Sequence, residues 1–281
     1  MSQERSLVAL TQFTATSDPE RNFGVIRDLV EQAKACRAEM VFVPEAFDYI
    51  GESGRESLAL SESIDGPRMT KYTQLARDNQ IWLSLGGFHE KVSGKELMYN
   101  THVVVDCNGS IISKYSKAHL FDVDIKGKVS LKESDYFMPG SAIVPPVETP
   151  VGKIGLGICY DVRFPELSLS LAKQGAEILT YPSAFTVATG LAHWEVLLRA
   201  RAIETQCYVI AAAQTGKHNE KRQSYGHSMV VDPWGCVIAQ CREGTGICLA
   251  LIDRAYIKQV KSQMPVSDHR RNDLYTEVKA I

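Results

Sequence analysis

The chain has 281 residues, 44% hydrophobic and 23% charged, with a formal net charge of −2, enough for one large or two small globular domains with a sizeable core. That balance excludes a basic footprint for nucleic acid and a polybasic run for a membrane surface, so the expected partner is a small molecule. Seven cysteines spread from Cys36 to Cys248 argue against a disulfide framework, and the Leu7-Val8-Ala9-Leu10 run is too short for a signal-peptide core, which predicts a reduced, soluble, cytosolic protein.

Residues 7–13 form a short apolar run that predicts a buried strand, and Asp18-Pro19 then supplies an N-cap with proline at the first helical position. Val25, Ile26, Leu29, Val30 and Ala33 keep helical spacing to about Ala38, and residues 40–43 read as the second strand of a βαβ unit. A helix over 67–79 leads to a strand over 82–85. Strands over 101–105 and 110–115 flank Asp106-Cys107-Asn108-Gly109, whose Asn-Gly pair is a strong hairpin signal.

After Pro150 the alternation resumes with a strand over 154–159, a helix over 165–174, a strand over 178–181, a helix over 192–205 and a strand over 208–213. The end differs: residues 227–231, the turn Asp232-Pro233-Trp234-Gly235, and residues 237–241 and 247–252 read as an antiparallel meander. No linker rich in Pro, Gly or Ser divides the chain. Two βαβ halves, each with helices against one sheet face, would pack sheet on sheet. The expectation is an α/β fold, a four-layer α-β-β-α sandwich, in a single domain over 1–281.

Three residues that could do chemistry follow predicted strands. Cys159 ends an apolar strand pattern just before a proline-started helix, the kind of tight turn where a nucleophile is exposed and the following amides can hold an oxyanion. Its bland alternative is a small core residue. Glu45 follows Val41-Phe42-Val43-Pro44 at the carboxyl end of a parallel strand, the edge where open α/β sheets place ligands. Lys117 lies just past a strand, in Lys114-Tyr115-Ser116-Lys117-Ala118-His119-Leu120-Phe121. Taken singly, both read as solvated charges, and only a fold could bring all three together.

Other patterns carry less. His119 permits a Cys-His dyad without requiring one. Gly152, Gly155 and Gly157 have the wrong intervals for a dinucleotide fingerprint, and Cys236, Cys241 and Cys248 lack the paired spacing of a zinc site, so no metal is expected. Arg163 suits a bidentate contact to a substrate carboxylate or a structural salt bridge.

The set Val-Pro-Glu45, Lys117-Ala-His-Leu-Phe and Gly-Ile-Cys159-Tyr-Asp-Val-Arg-Phe-Pro-Glu resembles the Glu-Lys-Cys triad of the nitrilase superfamily of carbon-nitrogen hydrolases. Tyr181-Pro182-Ser183-Ala184-Phe185-Thr186, Ala192-His193-Trp194-Glu195, Arg199-Ala200-Arg201-Ala202-Ile203-Glu204 and Asp232-Pro233-Trp234-Gly235 are similar to it as well, so the likeness covers nearly the whole chain. It implies α-β-β-α protomers in a homodimer or homotetramer, and no cofactor. It also implies roles. Cys159 would be the nucleophile and Glu45 the general base. Lys117 and the amide of Tyr160 would form the oxyanion hole, and Glu133 would orient the lysine.

Within the superfamily, Ser183-Ala184-Phe185-Thr186 followed by Thr189-Gly190 and His193-Trp194 is similar to the deaminated glutathione amidase branch. That implies hydrolysis of a small carboxylate-bearing amide through a thioester, with Arg163 on a carboxylate and Phe185, Thr186 and Thr189 near the substrate. The ω-amidase branch, acting on α-ketoglutaramate, shares the triad, and other nitrilase-type substrates fit it too. A protein of another class, using the fold for interaction or signalling without catalysis, is the further alternative. Some members of the amidase branch carry a fused histidine-triad domain, for which the stretch up to Ile281 holds no motif.

Overall fold

The computed structural model describes residues 4–126 and 129–274. β1 (Arg5–Phe13) leads to α1 (Pro19–Ala35), capped by the Asp18 carboxylate, which accepts from the amides of Glu20 and Arg21. β2 (Met40–Val43), α2 (Gly54–Leu60), α3 (Pro67–Asn79), β3 (Trp82–Lys91), β4 (Met98–Val105) and β5 (Ile111–Ser116) complete the first half. A small hairpin, β6 (Asp122–Ile125) and β7 (Val129–Lys132), precedes the second, which begins with β8 (Val147–Thr149), β9 (Gly152–Leu156), α4 (Pro165–Lys173) and β10 (Ile178–Thr180). There follow α5 (Val187–Thr205), β11 (Tyr208–Ala211), β12 (Ala213–Lys217), β13 (Gln223–Tyr225), β14 (Met229–Val231), β15 (Val237–Gln240), β16 (Gly246–Asp253) and α6 (Arg254–Gln263).

One sheet runs β13-β12-β1-β2-β3-β4-β5, with β16 also paired to β1; the other runs β15-β14-β11-β10-β9-β8. The central strands β1, β2 and β3 are parallel, as are β9, β10 and β11. Side-chain alternation sorts the layers. Ala9, Val41, Val43, Leu83, Leu85, Val103 and Val105 face α1 and α3 in one core, with Ile26, Leu29 and Tyr72. Their neighbours Val8, Leu10, Met40, Phe42 and Val104 face the second sheet, in a core that continues through Leu156, Ile178 and Val209 to Leu171, Trp194 and Leu198 of α4 and α5. Helix, sheet, sheet and helix stack in the expected four layers. Among the described residues no helix is long and apolar enough to cross a membrane.

Several boundaries depart from the sequence reading, and the following bear on the sheet order or the site. The run 208–213 is not one strand: β11 pairs with β10 in the second sheet, whereas after Ala212 the chain enters the first sheet, where Ala213 pairs with Gln12. Every residue of that run is buried, so hydrophobicity gives no sign of the crossing. The terminal meander is broken in a similar way. β14 and β15 pair, but β16 lies antiparallel along β1 from Arg5↔Asp253 to Gln12↔Gly246. The strand expected over 154–159 ends at Leu156, and Cys159 opens a 3-10 turn, Cys159–Arg163. Finally, α5 starts at Val187 rather than 192, with the Thr186 hydroxyl accepting from the Thr189 amide as its cap.

Candidate active site

Glu45, Lys117 and Cys159 leave different strands and meet at one edge of the two-sheet stack. β2 stops at Val43 because Pro44 has no amide to continue the ladder, and the next turn puts Ala46 in the left-handed region at φ 53°. There the Ala46 amide donates to the Gly87 carbonyl at 3.0 Å, while the Gln214 side-chain Nε2 donates to the Glu45 carbonyl at 3.0 Å. The β3–β4 register shifts between Leu85 and Phe88. Only glycine fits in that bulge: a Cβ on Gly86 would strike Pro182, and one on Gly87 would meet the Glu45 Cγ at 2.9 Å.

Cys159 also has a positive φ, 46°, a conformation that costs a non-glycine residue on the order of 1–3 kcal/mol and persists only when its surroundings enforce it. Enforcement is visible. Its amide donates to the Pro182 carbonyl at 2.9 Å. Two residues on, the fully buried Asp161 carboxylate accepts from the Ile158 amide at 2.9 Å, the Tyr115 hydroxyl at 2.8 Å and the His119 amide at 3.1 Å. One acid therefore ties the Cys159 turn to the segment that carries Lys117. The His119 ring completes this clamp, with Nδ1 2.7 Å from Asp161 Oδ1 and its plane stacked on Phe164.

Lys117 is 2% exposed and its Nζ sits between two carboxylates, 3.2 Å from Glu45 Oε1 and 3.0 and 2.9 Å from the two oxygens of Glu133. Glu133 is buried too, on a 3-10 turn, and accepts from the Phe121 amide at 2.6 Å. Asn100 donates to Glu45 Oε1 at 2.8 Å and reaches Glu133 Oε1 at 3.5 Å; the second Glu45 oxygen accepts from the Ala184 amide at 2.8 Å. The Cys159 thiol lies close enough to the Glu45 carboxylate for each to shift the other's protonation.

These contacts set the protonation states. Burial raises the Glu45 carboxyl, but the Lys117 ammonium, the Cys159 thiol, the Arg222 charge and Asn100 together hold it below its ordinary 4.5. Burial would lower Lys117, yet Glu133 and Glu45 drive it well above 10.5. At Cys159 burial and the neighbouring carboxylate push the thiol far up, against the opposing pull of Lys117. At neutral pH the cluster is carboxylate, ammonium and thiol.

A cavity of about 840 Å³ opens over these groups and is also lined by Tyr160, Arg163, Phe185, Thr186 and Thr189. Arg163 makes no salt bridge among the described residues; its guanidinium lies 5.4 Å from the Phe185 ring centre and 5.7 Å from that of Tyr160, with Nη1 3.2 Å from His193 Nδ1. No group of three or more His, Cys, Asp or Glu among the described residues could hold a metal ion. A family model described as carbon-nitrogen hydrolase matches residues 7–262.

The chain belongs to the carbon-nitrogen hydrolase family. It is 57% identical over 277 residues to the deaminated glutathione amidase of Rattus norvegicus, covering 98% of this chain and 85% of that protein. The crystal structure of the C. elegans NitFhit protein superposes with a TM-score of 0.94 at 53% identity, covering 98% of this chain and 67% of that one. A mutant amidase from Nesterenkonia sp. AN1, 26% identical with a TM-score of 0.79 over 96% of this chain and 95% of its own, shows covalent addition of the acetamide moiety of fluoroacetamide at the active site cysteine. As a member of the family the chain is a hydrolase of carbon–nitrogen bonds.

Sequence reasoning passed over Asn100, Asp161 and Arg222. Asn100 stands one residue before the strand expected from 101, and a polar residue entering a run of branched residues was its only signal. Arg222 sits in a polar stretch that reads as surface, and nothing local shows that it lines the cavity.

Proposed function

We propose that this chain is a cysteine amidase that hydrolyses deaminated glutathione to α-ketoglutarate and cysteinylglycine. The observation that carries the chemistry is the buried cluster in which Lys117 bridges Glu45 and Glu133 beside the Cys159 thiol in one cavity. The substrate follows from relatives of that name at 56–57% identity. The cysteine adduct of the Nesterenkonia amidase supports Cys159 as nucleophile.

In this mechanism the thiol proton passes to Glu45 as sulfur adds to the amide carbonyl. Lys117 and the Tyr160 amide stabilise the resulting alkoxide. The C–N bond then breaks, Glu45 gives the proton to the departing nitrogen, and an acyl thioester remains on Cys159. Water, deprotonated by Glu45, attacks the thioester, the C–S bond breaks, and sulfur takes back its proton as the acid leaves. Glu133 fixes the lysine, and Arg163 binds the terminal carboxylate of the acyl half. Phe185, Thr186 and Thr189 border the substrate along the start of α5. No cofactor enters. We further infer a single domain spanning the chain, assembly through α5 into a homodimer or larger oligomer, and a reducing compartment such as the cytosol, in keeping with seven free cysteines.

Side-by-side kinetics test the substrate. A kcat/KM for deaminated glutathione at least about tenfold above that for α-ketoglutaramate is expected, since remote contacts are worth roughly 1–3 kcal/mol each in the rate. Equal or reversed constants would make the chain an ω-amidase with the same triad.

A further inference from the structure

The cavity holds more positive charge than the acyl half of the proposed substrate can use. Lys117 is committed to Glu45 and Glu133, and Lys132 to Asp135 at 2.9 Å. Arg163, Lys221 and Arg222 line the cavity and make no salt bridge among the described residues. Arg222 is half-buried, and its guanidinium has no hydrogen bond to any described residue. The carboxylate that senses the Arg222 charge is Glu45, but its oxygens are already bonded to Lys117, Asn100 and the Ala184 amide, which leaves the Arg222 guanidinium donors open to a ligand carboxylate.

The loop that carries Arg222 is held in place from several sides. Between β12 and β13, the Asn219 side-chain oxygen accepts from the amides of Lys221 and Arg222, both at 2.9 Å, while its nitrogen donates to the Gly51 carbonyl at 3.2 Å. His218 bridges the Ala15 carbonyl and the Ser224 hydroxyl. On the other flank Ser224 pairs with Thr186, and the Tyr225 amide donates to the Phe185 carbonyl at 2.9 Å. Arg222 is thereby fixed beside the Phe185–Thr189 segment, on a different element from Arg163, which shares the rigid turn of Cys159.

We propose that Arg222, assisted by Lys221, binds a second carboxylate, at the far end of the amine half of the substrate, so that the site selects amides carrying a carboxylate on each side of the scissile bond. This rests on the amidase reading above. The division of labour follows from the chemistry of the intermediate: the acyl half stays bonded to Cys159, so its carboxylate must be held from the cysteine's own turn, by Arg163. The amine half departs and is gripped by a separate element nearer the mouth, where Lys221 is exposed. A guanidinium suits this because its planar donors pair with a carboxylate bidentately.

The test compares three substrates on native enzyme, R222Q and R222K: deaminated glutathione, the same compound with its terminal glycine carboxylate amidated, and α-ketoglutaramate. Native enzyme should lose about tenfold or more in kcat/KM on tail amidation, mainly through KM, the scale expected for one charge-assisted hydrogen bond. In R222Q the acid and the amidated substrate should converge, and R222K should restore part of the gap. R163Q, in contrast, should depress all three substrates together. Native enzyme that does not distinguish acid from amidated tail overturns the proposal without the use of any variant. So does an R222Q that lowers α-ketoglutaramate as much as deaminated glutathione, since Arg222 would then serve the acyl half. If native enzyme hydrolysed none of the three, the amidase reading itself would fail.

Discussion

A thiol whose proton is held up by burial and by an adjacent carboxylate reacts differently from the preformed thiolate of a cysteine paired with a cation. In the proposed mechanism proton transfer to Glu45 accompanies attack, so activity would depend on Glu45 being ionised rather than on the free thiol equilibrium. Glu45 is held below 4.5, hence the base form persists into acid and activity falls only as pH drops through that lowered value. Lys117 is raised, so its charge is lost only above the ordinary lysine range. The kcat/KM profile should therefore be flat through neutrality, with no rise near ~8.5, the ordinary thiol value. Glu45→Gln should cost ~10²–10⁴ in rate and remove the acid limb; a rise near ~8.5 in native enzyme would contradict the scheme. The three central residues were legible because each stands directly after a strand pattern, at a point where charge or sulfur is out of keeping with the apolar run before it. Asn100 and Asp161 were not, since their importance lies in partners far along the chain that no local pattern names.

Among the elements, the β3 bulge and helix α5 make separate predictions. Gly86 lets the Glu45 and Pro182 loops approach each other: an alanine methyl there would strike the Pro182 ring and lie 2.6 Å from the Val43 carbonyl. Gly86→Ala should destabilise the fold by ~1–3 kcal/mol, as overpacking does, and should depress activity further by displacing Glu45 from Cys159. Thermal unfolding and turnover measured together check this; a variant unchanged in both would show that the close approach is immaterial. Helix α5 is apolar on two sides. Trp194 and Leu198 are buried, whereas Val196 and Ile203, seven residues apart on the opposite face, are 68% and 50% exposed, with Trp234 at 52% beside the helix. Such an apolar strip on a helix marks a contact surface. Native protein should sediment as a dimer or larger at micromolar concentration, and Val196→Glu should shift it towards monomer. Native monomer alone would refute the interface. The two faces of α5 could be read from the sequence. Its first turn could not, because a start at Thr186 is signalled only by a cap.

For the molecule as a whole, the layer order was legible because each half repeats strand and helix with apolar faces of the right period. What periodicity cannot carry is pairing between distant strands, so the crossing at Ala212 and the eight-residue match of β16 with β1 appeared only in three dimensions. Those two features lock the halves together. β12 places Gln214 against Glu45 and Ala46, and its hairpin brings Arg222 to the cavity. The assembled edge is proposed to use Cys159 as a covalent nucleophile. Acid-quenching native enzyme during turnover of deaminated glutathione, followed by peptide mass analysis, tests it most directly. An α-ketoglutaryl adduct is expected on the peptide containing Cys159, absent from Cys159→Ala, which should fold normally and turn over no substrate. An adduct on any other cysteine, or turnover by Cys159→Ala, would contradict it.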